Sequence, residues 1–185
     1  AIRELDNTII VLDQIEKKTG IKVSCLSNSE QRFLDYKSIA AQGEEFHKII
    51  ENGTAILDIG GGSIQLSLFD KEALVATQNI RLGVLRLYEK MRYIDVKPSQ
   101  YQSVLAELID TQLAVFKKLY LKDREIRNLI VVDDYVSAVI KHVYPEIDKK
   151  GFVERKKFLD KMKEMQIKNR ADVAKQLRMG EEDVP

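Results

Sequence analysis

Apolar positions along this chain change period several times, and each change marks an element. Over residues 4–18, Leu5, Ile9, Leu12 and Ile15 fall on one stripe at helical spacing, and Gly20 follows as a stop. Residues 21–26 (Ile-Lys-Val-Ser-Cys-Leu) alternate, which predicts a strand. Ser27 opens a second helix expected to reach Ile50 and to end at Asn52-Gly53. Three short runs of strand character follow, near 54–59, 63–69 and 73–80, and then a short helix over 82–93. Pro98 opens the longest helix, which places Tyr101, Leu105, Leu108, Gln112, Val115 and Leu119 on one face. A buried strand over 128–132 leads to a helix over 135–144 that Pro145 ends. Two basic helices close the chain, with Phe152, Phe158, Leu159 and Met162 predicted to face inward. The pattern is that of an α/β protein.

Composition adds bounds. At 185 residues and 44% hydrophobic content the chain can bury a core as one or two domains. A net charge of +1 gives no global drive toward nucleic acid or an anionic membrane. The single cysteine, Cys25, cannot form an internal disulfide and is predicted to be a buried strand residue in a reducing compartment. No apolar stretch approaches the roughly 18 residues of a membrane span, and no signal peptide is visible, so the expected location is cytoplasmic. Residues 148–151 are the expected flexible joint.

Candidate chemistry concentrates in Asp58-Ile59-Gly60-Gly61-Gly62-Ser63, between two of the predicted strands. Glycines in such a turn permit positive φ and close approach of backbone to a ligand. Their successive N–H groups can cup an anion such as phosphate. Asp58, at the mouth of its strand, suits a hard cation such as Mg²⁺, directly or through water. The competing reading is a plain hairpin loop that Asp58 caps. Ser27-x-x-Glu30 is equally two things: a capping box, in which Glu30 bonds back to the Ser27 N–H, or a carboxylate available as a base.

Together with Leu82-Gly83-Val84-Leu85-Arg86-Leu87-Tyr88-Glu89, the glycine block resembles the exopolyphosphatase/guanosine pentaphosphate phosphohydrolase (Ppx/GppA) family. The resemblance extends loosely over nearly the whole chain. It implies an RNase H-like half of the actin/hexokinase/Hsp70 superfamily, with a β-β-β-α-β-α core plus flanking helices. It also implies a chain that starts and stops partway through the family pattern. Residues 1–50 are then expected to be a remnant of the first RNase H-like half, 51–147 the second half, and 148–185 basic C-terminal helices. By this resemblance Glu30 activates water, and Gly60, Gly61, Gly62 and Ser63 hold phosphate. Asp58 positions Mg²⁺. Arg86 reaches a phosphate or else pairs with a surface acid such as Glu89.

Three departures from the family pattern count against catalysis. Ile64 and Gln65 stand where the family has Thr-Glu, and an amide carries no charge for a metal. Gln31 replaces the glutamate that follows Glu30. The strand at 129–132 runs into Asp133-Asp134 where the family has a glycine-threonine turn, and these acids are most simply an N-cap pair for the next helix. His47 and His142 lack a second ligand at metal spacing. Residues 149–178 hold eleven Lys/Arg against four Asp/Glu. That segment suits either a long polyanion or, more simply, a solvated amphipathic helix pair.

The expected function is thus part of a phosphohydrolase that cleaves terminal phosphate from inorganic polyphosphate or guanosine pentaphosphate, with this chain alone inactive. The alternative is a non-catalytic homologue that binds phosphate, nucleotide or a protein. Expected partners are polyphosphate or a guanosine polyphosphate nucleotide, with no nucleic acid and no membrane. A homodimer through the first fifty residues is expected from the apolar stripe of Ile9 and Leu12.

Overall fold

A computed structural model describes residues 2, 5–41, 43–94, 97, 100–144, 152–181 and 184. The expected start of the first helix at residue 4, the roles of Pro98 and Pro145 and the joint at 148–151 lie outside them. Contacts divide the chain into two compact units, Ala1–Ile130 and Val131–Pro185.

The first unit opens with helix α1 (Thr8–Thr19), closed by Gly20 at φ 71, whose N–H bonds Glu16 O. Thr8 fixes this start lower than the apolar stripe predicts, because its hydroxyl bonds the carbonyls of Ile2 and Leu5. No residue of α1 is buried, and Ile9 is 83% exposed. The strand expected over 21–26 does not form: these residues have no regular structure. A strand needs a neighbour to take its N–H and C=O groups, and no described strand pairs with this one. Cys25, expected to be buried there, is exposed.

The helix expected over 27–50 is broken in two, α2 (Asn28–Ala40) and α3 (Glu44–Glu51). Gly43 sits at the break with φ 96 and ψ −156, a conformation that favours glycine and stops helical hydrogen bonding. Strands β1 (Thr54–Ile59), β2 (Ile64–Asp70) and β3 (Ala73–Ile80) form an antiparallel meander where alternation predicts it. β4 (Asn128–Val132) lies beside β1, giving the order β3-β2-β1-β4, but it is not the buried strand expected: Leu129 and Val132 are exposed and none of its residues is fully buried. Gly53 O anchors the approach to β4 by accepting from the N–H groups of Arg127 and Asn128.

Alternation gives the meander two different faces. Ala55, Leu66, Leu68 and Ala76 lie on one, packed around Phe116. That phenylalanine ends helix α5 (Tyr101–Phe116), and a π turn at Lys117–Leu121 carries Tyr120 and Leu121 onto the same cluster. The predicted α5 face is therefore wrong at both ends: Tyr101, Val115 and Leu119 are exposed, and Leu113 and Phe116 pack instead. Leu113, Phe116 and Tyr120 are themselves spaced by three and four, so the helical period holds and the packed stripe is the one next to the predicted one. On the other face Ile56 and Phe69 pack with Phe46 and Ile50 of α3 and Tyr36 of α2. This second face turns polar toward the C-terminal end of β1, where Ile56, Ser67 and Thr77 are followed by Asp58, Gln65 and Asn79 in cross-strand register. Helix α4 (Val84–Tyr93) follows β3 directly.

The second unit holds α6 (Asp134–Val143), α7 (Arg155–Gln166) and α8 (Arg170–Leu177). They share a core of Val139, Met165, Val173, Ala174, Leu177 and Val184. Phe158 and Met162 pack against it as expected, whereas Phe152 and Leu159 are exposed. Asp133 caps α6 by accepting from the Val136 N–H at 2.7 Å, the role its position predicts.

Candidate functional site

The glycine loop takes its shape from what its carbonyls bond. Gly60 O accepts from Val84 N at 3.1 Å, and Gly61 O from Leu85 N at 3.0 Å and Arg86 N at 3.4 Å. Gly62 O accepts from the Arg86 side chain, Nε, at 2.7 Å. All three carbonyls therefore face the first turn of α4. In a trans peptide the N–H points opposite to the C=O of the same plane, and there is no cis peptide here. The N–H groups of Gly61, Gly62 and Ser63 must then point away from α4, and none of them has a hydrogen-bond acceptor among the described residues. Gly60 N differs, since it bonds Ser63 O at 3.0 Å and closes the turn.

The glycines are needed for closeness rather than for handedness. None of Gly60, Gly61 and Gly62 has the positive φ that three glycines suggest. A Cβ on Gly83 would lie 2.4 Å from Gly60 O and from the Gly61 carbonyl carbon and oxygen, so backbone meets backbone there. Gly83 lies in the 82–89 block that resembles the family. Its physical task is to let α4 seat on the loop.

The loop forms one wall of a cleft of about 550 Å³. Gly60, Gly61, Gly62, Ser63, Asp58, Gln65, Asn79 and Arg81 line one side, and Cys25 to Asn28, Glu30 and Gln31 line the other. Asp58, Gln65 and Asn79 reach it because cross-strand register places them side by side on one face. Asn79 donates its amide to Ser63 Oγ at 3.2 Å, which leaves the serine hydroxyl proton to point elsewhere. Gln31 donates to Asp58 Oδ2 at 3.2 Å and so ties α2 to the strand. Asp35, one helical turn further along α2, faces the same carboxylate. Burial raises the Asp35 pKa, and a hydrogen bond with Asp58 partly offsets the rise. Asp35 Oδ2 is buried with no N–H or alcohol donor to it.

Of the residues singled out from sequence, Glu30, Asp58, Gly60, Gly61, Gly62 and Ser63 come together in this cleft. Arg86 does not line it; its guanidinium braces the loop from behind through Gly62 O. Glu30 forms the full capping box: its Oε2 accepts from Ser27 N at 2.7 Å, and Ser27 Oγ accepts from Glu30 N at 3.2 Å. The Ser27 backbone N–H, with a smaller contribution from the Ser27 hydroxyl, holds the Glu30 pKa below the usual glutamate value. Asp35, Asn79 and Arg81 escaped the sequence reading. Asn79 was accessible through hairpin register opposite Gln65, and Arg81 through its place beside Leu82-Gly83. Asp35 carried no signal, because its role depends on how α2 crosses the sheet.

For a hard cation, the oxygens at hand are Asp58, the carboxylate of Asp35 with its buried donor-free Oδ2, and the Gln65 amide. No set of three or more His, Cys, Asp or Glu is placed to hold a metal among the described residues. Mg²⁺ characteristically uses one or two carboxylates and completes its shell with phosphate and water oxygens. The donor set fits that habit.

A model of the Ppx/GppA phosphatase family matches residues 1–178. An exopolyphosphatase from Cytophaga hutchinsonii has a similar structure, with a TM-score of 0.56 at 17% identity, covering 84% of this chain and 48% of that one. A Ppx/GppA family member from Aquifex aeolicus gives a TM-score of 0.60 at 15% identity, covering 96% and 56%. A bifunctional 3-dehydroquinate synthase/phosphatase of Fusobacterium nucleatum is 23% identical over 90 residues, 49% of this chain and 13% of that protein. The chain thus spans about half the length of the solved relatives and a small part of this last one. The structural likeness shows the fold, α/β of the actin-like class.

Proposed function

This chain belongs to the Ppx/GppA phosphatase family, and from that premise we propose that its cleft grips the terminal phosphate of a linear phosphoanhydride. Inorganic polyphosphate and guanosine pentaphosphate are the substrates proposed. One observation carries the reading: the Gly61, Gly62 and Ser63 amides are turned from α4, because the Gly60, Gly61 and Gly62 carbonyls that share their peptide planes are all held by it. Such a set is pre-organised for phosphate oxygens, because the loop need not rearrange to present its donors. The Ser63 hydroxyl, accepting from Asn79, adds a fourth donor.

In the hydrolytic form of this proposal, Asp58 with Asp35 beside it would hold Mg²⁺, which would supply positive charge to offset that of the phosphates. Glu30 takes a proton from the water that attacks phosphorus, and the bond to the bridging oxygen breaks, releasing orthophosphate and a shortened chain. A second reading is favoured by two observations on the same wall. The Glu30 carboxylate is engaged by Ser27 and its pKa is lowered, which weakens it as a base. Gln65, opposite Asp58 in the ladder, brings no charge to a cation. Both favour a phosphate-binding homologue without turnover.

Calorimetric titration with tripolyphosphate in Mg²⁺ buffer, paired with orthophosphate release, separates the readings. Binding with release that Glu30→Gln abolishes supports hydrolysis. Binding without release supports the second reading. Absence of binding, or binding unchanged in a folded Gly62→Pro variant that lacks one cradle N–H, overturns both.

A further inference from the structure

We infer that Arg81 sets the length of phosphate chain this cleft accepts, by holding the phosphate next to the one in the glycine loop. The inference rests on the proposed phosphate site and goes beyond it to the selection of polyphosphates over single phosphates.

The main chain at Arg81 is fixed from both sides. Ile80 before it and Leu82 after it are buried, and Leu82 N bonds Ile80 O at 2.7 Å. Gly83 then locks against the backbone of Gly60 and Gly61. The guanidinium thus starts from a rigid point on the cleft wall, beside Asn79 and Ser63. It has no hydrogen bond or ion pair among the described residues, unlike Arg86, whose Nε is spent on Gly62 O. Its planar fork of donors matches phosphate oxygens well.

Charge decides the rest. Among the described residues lining the cleft, Glu30 and Asp58 are acidic and Arg81 is the one base. A single phosphate can be met by the amides of Gly61, Gly62 and Ser63 with the serine hydroxyl. A second and third phosphate extend past the loop toward two carboxylates, and only Arg81 offers them a positive charge from this wall. The cleft, at about 550 Å³, has room for them. Arg81 therefore contributes little to a monophosphate and much to a chain.

The test compares orthophosphate, pyrophosphate and tripolyphosphate by calorimetry in Mg²⁺ buffer. Wild type is expected to tighten with chain length. Arg81→Gln should weaken tripolyphosphate by about tenfold or more while orthophosphate stays within about twofold, because a lost charge-assisted bond is felt only where the bond is made. Arg81→Lys should recover part of the loss. Lys18→Gln removes the same charge away from the cleft and should change neither ligand. Equal losses for all three phosphates in Arg81→Gln, or none, overturn the inference. So does a matching loss in Lys18→Gln, which would make the effect one of net charge. If Gly62→Pro abolishes binding while Arg81→Gln leaves chain-length preference intact, the site survives and the role of Arg81 does not.

Discussion

Replacing Gly83 with alanine tests how the phosphate loop is held. The added Cβ would sit 2.4 Å from three backbone atoms of Gly60 and Gly61, against a floor of 3.0 Å that real contacts respect. The loop or the helix must then move by at least 0.6 Å (3.0 − 2.4), and no side-chain rotation can absorb it. Such a shift stretches the Val84–Gly60 and Leu85–Gly61 bonds from 3.1 and 3.0 Å toward loss. Overpacking costs about 1–3 kcal/mol and each weakened bond about 1 kcal/mol, so the total is about 3–5 kcal/mol. For a unit of this size that lowers the melting temperature on the order of 10–20 °C. Gly61→Ala is the internal control. Its Cβ would meet Leu85 Cδ1 at 2.9 Å, the end of a flexible side chain, and the cost should stay below about 1.5 kcal/mol. Thermal unfolding followed by circular dichroism reads both variants. A Gly83→Ala protein that melts with wild type, or no lower than Gly61→Ala, would refute the seating argument.

Three further outcomes are expected. Ser27→Ala should cost about 1 kcal/mol by urea unfolding, because it removes one half of the capping box. The Glu30 half has a lowered pKa, so its support is present above the usual glutamate value and fades as pH falls through the lowered one; the acid limb of the stability curve should flatten in Glu30→Gln, which removes the titrating group, and an unchanged limb would count against the box. Asp35→Asn should stabilise the protein at neutral pH in metal-free buffer: a raised carboxyl pKa means wild-type stability declines as pH rises through it, and the gain should vanish in acid. Equal gains at both pH values would rule out the carboxyl as the cause. Lys71 and Glu72 both have positive φ at the β2–β3 hairpin, so Glu72→Gly should stabilise by about 1 kcal/mol, and destabilisation would refute the strain.

Local signals that act over a few residues were readable in the sequence. Strand-like runs gave the three-strand meander nearly to the residue, a continuous apolar run gave the position of β4 though not its burial, and Ser27-x-x-Glu30 and Asp133 both form the caps their spacing predicts. The failures share a physical cause, dependence on a partner distant in sequence. Residues 21–26 alternate like a strand, but alternation supplies no neighbour to pair with. Val115 and Leu119 lie on one apolar stripe and Phe116 and Tyr120 on the next, and contact with the sheet, which is distant in sequence, decides which is buried. In the site, Asp58 and the glycines were legible because they are contiguous. Asp35 was not, because its approach to Asp58 depends on how α2 crosses the sheet. Arg86 illustrates the reverse case: its position in the sequence suggested a ligand, and the fold uses it as a brace.

The central claim is that the amides of Gly61, Gly62 and Ser63 receive phosphate, and backbone amide chemical shifts report on each of them separately. In a titration of isotopically labelled protein with pyrophosphate and Mg²⁺, these three resonances should move together and saturably, with the downfield sense of new hydrogen bonds. Gly20 N–H, already bonded to Glu16 O, should stay in place. Saturable shifts confined to those amides and their cleft neighbours would be the predicted result. Silent resonances at all three, or shifts found only along the basic 149–178 segment, would contradict the account.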